Sequence, residues 1–122
     1  MTGTDKQISW ATEILDKFLN AANECADGWV AKNNRELADH AERRTRTNDV
    51  NSLAMLDKLV ANLNAQNAYW EEAKAAIANQ VNTWKSKESA EKIIANKDTG
   101  CSTAKAMRLV NAKYELLGGK KA

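Results

Sequence analysis

The chain reads as an all-α protein, a single-domain bundle of four to five helices with a long central helix. Three observations predict this. Proline is absent from the 122 residues and glycine occurs only five times, whereas β-rich and loop-rich folds lean on both for their turns. Ala, Leu, Lys, Glu and Asn dominate over β-branched residues, which favours helix. Apolar residues recur at three- and four-residue spacing over most of the sequence. At this length residues 1–122 make one domain around one core. The 28% charged and 43% hydrophobic content is that of an ordinary globular chain.

The first helix is expected to start at Thr4. In "TDKQ" the Thr4 hydroxyl can accept from the Gln7 amide while the Gln7 side chain reaches back, which is a capping box. Ile8, Ala11, Leu15, Phe18, Ala22 and Cys25 follow at helical spacing. Asp27-Gly28 predicts its end, with Gly28 in the left-handed position after the last turn and Trp29 or Val30 folding back. A second helix is expected from an Asn33 cap, with Glu36 three residues on and a thin stripe of Val30, Leu37 and Ala41. It closes on "ERRTRTND", where Arg43, Arg44 and Arg46 sit near the negative end of the helix dipole.

The third helix carries the strongest periodicity, from Asn48 or Asp49 to Trp84. Leu53, Leu56, Val60, Leu63, Asn67, Trp70, Lys74, Ile77, Val81 and Trp84 form a 3-4 series whose apolar character is broken at two positions, Asn67 and Lys74. It predicts a bundle spine with a kink or interruption near residues 65–67. Asn67 at a seam position is expected to fix register, and Lys74 to bury its stem while keeping its ammonium in water. A short helix, "KESAEKIIAN", is expected from Ser86. The turn "NKDTG" follows, and then a final helix runs from a Ser102 cap to Leu117.

Charge is distributed unevenly. Residues 1–84 hold 9 Lys/Arg against 12 Asp/Glu, and residues 85–122 hold 9 against 4. The net charge of +2 therefore conceals a basic C-terminal third, which serves either as a solvated face or as a polyanion-binding end. No apolar run approaches a membrane span, and "MTGTDKQIS" lacks the apolar stretch that follows the basic start of a signal peptide. Cys25 and Cys101 are the only cysteines, and neither belongs to a CxxC pair. These features predict a cytoplasmic protein with reduced thiols. Cys101, just past the turn glycine, is expected to be the more exposed and the more reactive of the two.

Signals of catalysis are sparse. His40 is the single histidine, read as a surface residue, and no Cys/His spacing suits zinc. No Gly-rich loop precedes a helix as a phosphate cradle would require. Glu71 and Glu72 are adjacent, so they point about 100° apart and cannot face one substrate. No catalytic, cofactor-binding or metal residue is assigned, and a non-enzymatic protein is expected. Trp70 and Trp84 lie on the apolar face of the long helix and read as core. Trp10 lies about 100° from the centre of its helix's apolar stripe, beside Lys6, Glu13 and Lys17. It serves there either as cover for a neighbouring helix or as an exposed aromatic of the kind enriched at binding hot spots.

Two segments resemble known families. "ESAEKIIANKDTGCSTAKAMRLVNAKYELL" resembles a helix-turn-helix segment, with Ala95, Gly100, Cys101, Ser102, Met107 and Val110 at structural positions. The resemblance implies that Thr103, Lys105 and Arg108 face DNA, with Lys97 and Lys113 as further phosphate contacts. The alanine-to-glycine interval is one residue longer than the usual pattern, and Asp98 lies in the turn. "TDKQISWATEI", Thr4 to Ile14, resembles the "KQIxWAxxI" opening of small helical proteins from phages and mobile elements. "NAYW", Asn67 to Trp70, is similar to an aromatic segment that follows in them, although "EEAKAAI" replaces their usual continuation. That resemblance implies action by binding a host macromolecule, as counter-defence inhibitors such as anti-CRISPR proteins do. The first expectation is therefore a protein partner met through Trp10, Arg43, Arg44 and Arg46. The alternative is nucleic acid met through the C-terminal segment. Self-association is left open.

Overall fold

The computed structural model describes residues 1–116, the last four by backbone only. Helix α1 spans Asp5–Thr45, α2 Val50–Lys87, α3 Ala90–Ala95 and α4 Thr103–Leu116. The all-α class and the long helix are as the sequence predicts, with four helices among the described residues. Apart from a single parallel bridge between Thr2 and Ser89, no strand pairing occurs there. No helix among the described residues is long and apolar enough to cross a membrane.

The capping box forms as expected: the Gln7 amide donates to Thr4 Oγ1 at 3.2 Å and the Thr4 amide to Gln7 Oε1 at 3.0 Å. The predicted break at Gly28 does not occur. α1 runs 41 residues without interruption, and the two expected helices are one. Gly28 is exposed within α1 and its φ is not positive. An interior glycine costs roughly 1 kcal/mol relative to alanine. That cost is smaller than the loss from undocking Ala26, Val30 and Asn33, which turn toward the interior on either side of it, since burying one large apolar side chain alone is worth about 1.5–3 kcal/mol. Asn33 is accordingly not a cap but a buried seam residue.

α2 is likewise continuous through residues 65–67. Its start is fixed by Asp49, whose carboxylate accepts from the Ser52 amide at 2.9 Å and the Ser52 hydroxyl at 3.0 Å. These bonds hold the Asp49 carboxyl below its usual range, the backbone bond first. α2 continues to Lys87, so the short helix begins not at Ser86 but at Ala90, capped by Ser89. The last helix reaches Leu116, and Leu117 lies outside the described residues.

α1 and α2 form an antiparallel hairpin whose register is written in its ion pairs. Asp16 meets Lys85 at 3.0 Å, Asp27 meets Lys74 at 2.7 Å, and Arg44 meets Asp57. From Asp16 to Asp27 is eleven residues forward, and from Lys85 to Lys74 eleven back. From Asp27 to Arg44 is seventeen forward, and from Lys74 to Asp57 seventeen back. Lys74 keeps only 25% of its side chain exposed. The hydrogen bond that its ammonium donates to Asp27 raises its pKa, outweighing the opposing desolvation.

The hairpin has two unlike halves. At its base Leu15, Phe18, Ala22 and Ala26 of α1 join Trp70, Ile77 and Val81 of α2, Ala90 and Ile93 of α3, and Ala106 and Val110 of α4 in one core. Phe18 meets the half-buried Trp84 edge-on at a centroid separation of 5.3 Å. The N-terminus closes this end: Thr2 accepts from the Ala90 amide at 2.8 Å. Gly3 takes φ +142°, and a Cβ there would lie 3.1 Å from that of Ala90. Among the described residues this is the one position where the backbone requires glycine.

Beyond the core the two helices continue as an arm, alone among the described elements. Among the described residues only Asn33, Leu56, Leu63 and Tyr69 are buried there. Asn67 lies in the seam, as its spacing predicts. It accepts from Asn33 Nδ2 at 3.0 Å and donates to Asn34 Oδ1 at 3.1 Å, while Asn33 also reaches Gln66 at 3.3 Å. A polar layer of this kind favours one register, because a slipped pairing leaves buried amides unsatisfied. His40, expected at the surface, is half-buried within the arm, and its Nδ1 has no hydrogen-bond partner among the described residues.

Candidate interaction surfaces

α4 runs alongside α1 in the same direction. Its leading turn, at Cys101, lies against Trp84 and Ile93 near the level of Phe18, and Asn111 reaches Cys25 Sγ at 3.9 Å. It therefore covers one side of the hairpin at the base. That side is defined on α1 by Cys25, Trp29, Lys32, Glu36, Asp39 and Arg43, and on α2 by Ala73, Tyr69, Gln66, Asn62, Leu59 and Met55. Both series step 4-3-4-3-4, so each is a single stripe beside the seam.

Burial changes along these stripes. Ala73 and Tyr69 are buried, Gln66 and Asn62 half-buried, Leu59 38% exposed and Met55 59% exposed. The stripe starts as core and ends as surface without a change of face. Near the tip it borders an open concavity of about 450 Å³ lined by Arg43, Thr47, Asn51, Ser52, Met55, Leu56 and Leu59. Trp29, 40% exposed, stacks flat on buried Trp70 at 5.7 Å, with Lys32 Nζ 5.3 Å from the Trp29 ring centroid. Neither Met55 nor Leu59 was marked by the sequence as an interaction residue, and nor was Trp29.

The arginines expected to meet a protein fall into two groups. Arg44 is engaged with Asp57, and Arg46 lies 3.6 Å from Glu42 one turn back on α1. Arg43 is exposed and forms no ion pair among the described residues. Trp10 is 47% exposed, so it does not serve as buried cover. It stands 33 residues before Arg43 on the same helix, about 50 Å away at 1.5 Å per residue. The structure therefore does not bring Trp10 and the arginines into one patch.

The C-terminal segment contains a helix, a turn and a helix. α3 has only six residues, and seven residues, 96–102, separate it from α4; a helix-turn-helix joins its helices by a turn of about three or four. Thr103 and Arg108 are exposed, whereas Lys105 is half-buried and its amide donates to the Ser102 cap at 3.1 Å. Lys97 pairs with Asp98 at 2.7 Å. Lys113 belongs to α4, but its side chain lies outside the described residues.

Cys101 is buried rather than exposed, 8% accessible against the half-buried Cys25. Burial raises both thiol pKa values, and Glu88 raises that of Cys101 further. Trp84, Glu88, Lys92, Ile93, Asn96, Gly100 and Cys101 surround a cavity of about 190 Å³, with Lys92 and Glu88 paired at 3.1 Å. Among the described residues no group of His, Cys, Asp and Glu has the proximity to hold a metal ion. No family model matches the chain, and neither a curated protein nor a solved structure matches it.

Proposed function

We propose that this protein is non-enzymatic and acts by binding a protein partner through the side of its helical arm that no other described helix covers. The observation that carries the reading is the burial gradient on α2, in which one stripe passes from Ala73 and Tyr69 in the interior to Leu59 and Met55 in solvent. Exposed apolar residues grouped beside polar ones are typical of interaction surfaces, and Trp, Met and Arg are enriched in the cores of such surfaces. The resemblance of the Thr4–Ile14 segment to mobile-element proteins gives this binding a setting, the inhibition of a host protein in the manner of a counter-defence factor such as an anti-CRISPR.

The alternative is nucleic-acid binding by the outward face of α4, where Thr103 and Arg108 are exposed. The two readings part under salt. Phosphate contacts would make log affinity fall with log salt at roughly −0.9 per phosphate neutralised. The expected result is negligible duplex binding at about 150 mM salt. Micromolar or tighter binding there, lost in Arg108→Ala, would establish the alternative instead.

A further inference from the structure

The side of the arm that no other described helix covers carries a charge order that specifies what fits it. Along α1 the wall reads Lys32, Glu36, Asp39, Arg43, which is positive, negative, negative, positive at 4-3-4 spacing, and all four side chains are exposed. Along α2 the facing wall is apolar toward the tip, with Leu59 and Met55, and amide-bearing further in, with Asn62 and Gln66. The floor is the seam, including buried Leu56 and Leu63. α4 occupies this same side of the hairpin nearer the base, so the groove prolongs the bed in which a helix already lies.

We propose that the groove receives an amphipathic helix of a partner protein. Its apolar residues would lie on Leu59 and Met55, and a row of acidic, basic, basic and acidic side chains at 4-3-4 spacing would meet Lys32, Glu36, Asp39 and Arg43. The span from Lys32 to Arg43 is eleven residues, about three helical turns or 16 Å, so a short helix suffices. A second copy of this chain is a poorer occupant. The row reads the same in both directions, so an α1 from a two-fold-related copy laid antiparallel along it sets like charges against like, which is destabilising. A helix of the complementary order meets an opposite charge at every step. Arg43, without an ion pair among the described residues, is free to engage it. This inference rests on the protein-binding reading above and adds the chemistry of the partner.

Two capped helical peptides of equal length and Leu content test it, one carrying Glu, Lys, Lys, Glu at 4-3-4 spacing and the other Lys, Glu, Glu, Lys. Each is titrated with the full chain by fluorescence anisotropy. The first peptide should bind about tenfold more tightly than the second, since four surface pairs change sign and each is worth a fraction of a kcal/mol. In the double variant Lys32→Glu, Arg43→Glu the preference should shrink or invert. Leu59→Glu should weaken the first peptide about tenfold while far-ultraviolet circular dichroism remains that of the parent, because this site is already 38% exposed. Equal binding of the two peptides, or binding of neither, overturns the proposal. So does a dimer in sedimentation equilibrium that Leu59→Glu dissolves. These failures are distinct from failure of the protein-binding reading, which falls only to duplex binding that depends on Arg108.

Discussion

Cys101 illustrates what residue-level reading reaches and where it stops. A cysteine after a turn glycine and before a helix has the local features of a reactive thiol, near the helix's positive end. The turn, however, folds inward against Trp84 and Ile93, leaving Cys101 8% accessible. Burial raises its pKa, and the negative charge of Glu88 adds to the effect. Cys25, raised by burial alone, stays half-buried at the edge of α4. Native-state labelling with a maleimide should therefore modify Cys25 first, with both rates increasing as pH rises through and beyond the ordinary thiol range. Faster labelling of Cys101 would contradict its buried placement. The sign for stability is equally defined: both raised thiols leave stability intact below the unfolded thiol pKa and erode it as pH climbs toward the folded value. By contrast, the Thr4–Gln7 box and the seam role of Asn67 were legible in sequence, because a cap depends on neighbours three residues away and a seam position on heptad spacing.

At the scale of elements, the spacing on α2 was readable from Leu53 to Trp84 because every turn places one residue on the same face. α1 was harder to read. Asp27-Gly28 carries the local marks of a helix end, and the apolar series shifts its phase there, from Cys25 toward Ala26 and Val30. Whether a helix survives an interior glycine depends on what lies beside it, and α2 docks against both sides of the break. The two readings make opposite forecasts for Gly28→Ala. In a left-handed terminal position the substitution would destabilise. In the continuous helix, where φ is not positive and an added Cβ meets nothing within 4 Å, it should stabilise by about 0.5–1 kcal/mol. Urea denaturation monitored at the helical signal distinguishes these signs, and a loss of stability would restore two separate helices. The uncovered stripe was not legible for a related reason. Met55, Leu59, Asn62, Gln66, Tyr69 and Ala73 share one spacing, and only the path of α4 decides which of them are buried.

For the whole molecule, the division into a four-helix base and a two-helix arm predicts an uneven distribution of stability. Opening the base exposes Leu15, Phe18, Trp70, Val81 and Val110 together, all within 1% of complete burial, so its amides should exchange only through global unfolding. Opening the arm exposes chiefly Leu56 and Leu63, with half-buried Leu37, Leu53 and Val60, and breaks the Asn33–Asn67 layer. The arm's ion pair between Arg44 and Asp57 is half-exposed on both sides and adds no more than about 1 kcal/mol. The arm should therefore open on its own below the global free energy, as regions with few buried apolar contacts do. In native-state hydrogen exchange, amides from Leu53 to Leu63 and from Leu37 to Ala41 should be less protected than those of Phe18, Ile77 and Val81 by about tenfold or more, which corresponds to 1.4 kcal/mol. Adding the Glu-Lys-Lys-Glu peptide should raise protection in the arm selectively, because a ligand that binds only the closed hairpin stabilises it by mass action. Equal protection of arm and base would show that the hairpin unfolds as one unit along its whole length, and the separation of a supporting base from a partner-binding arm would then be wrong.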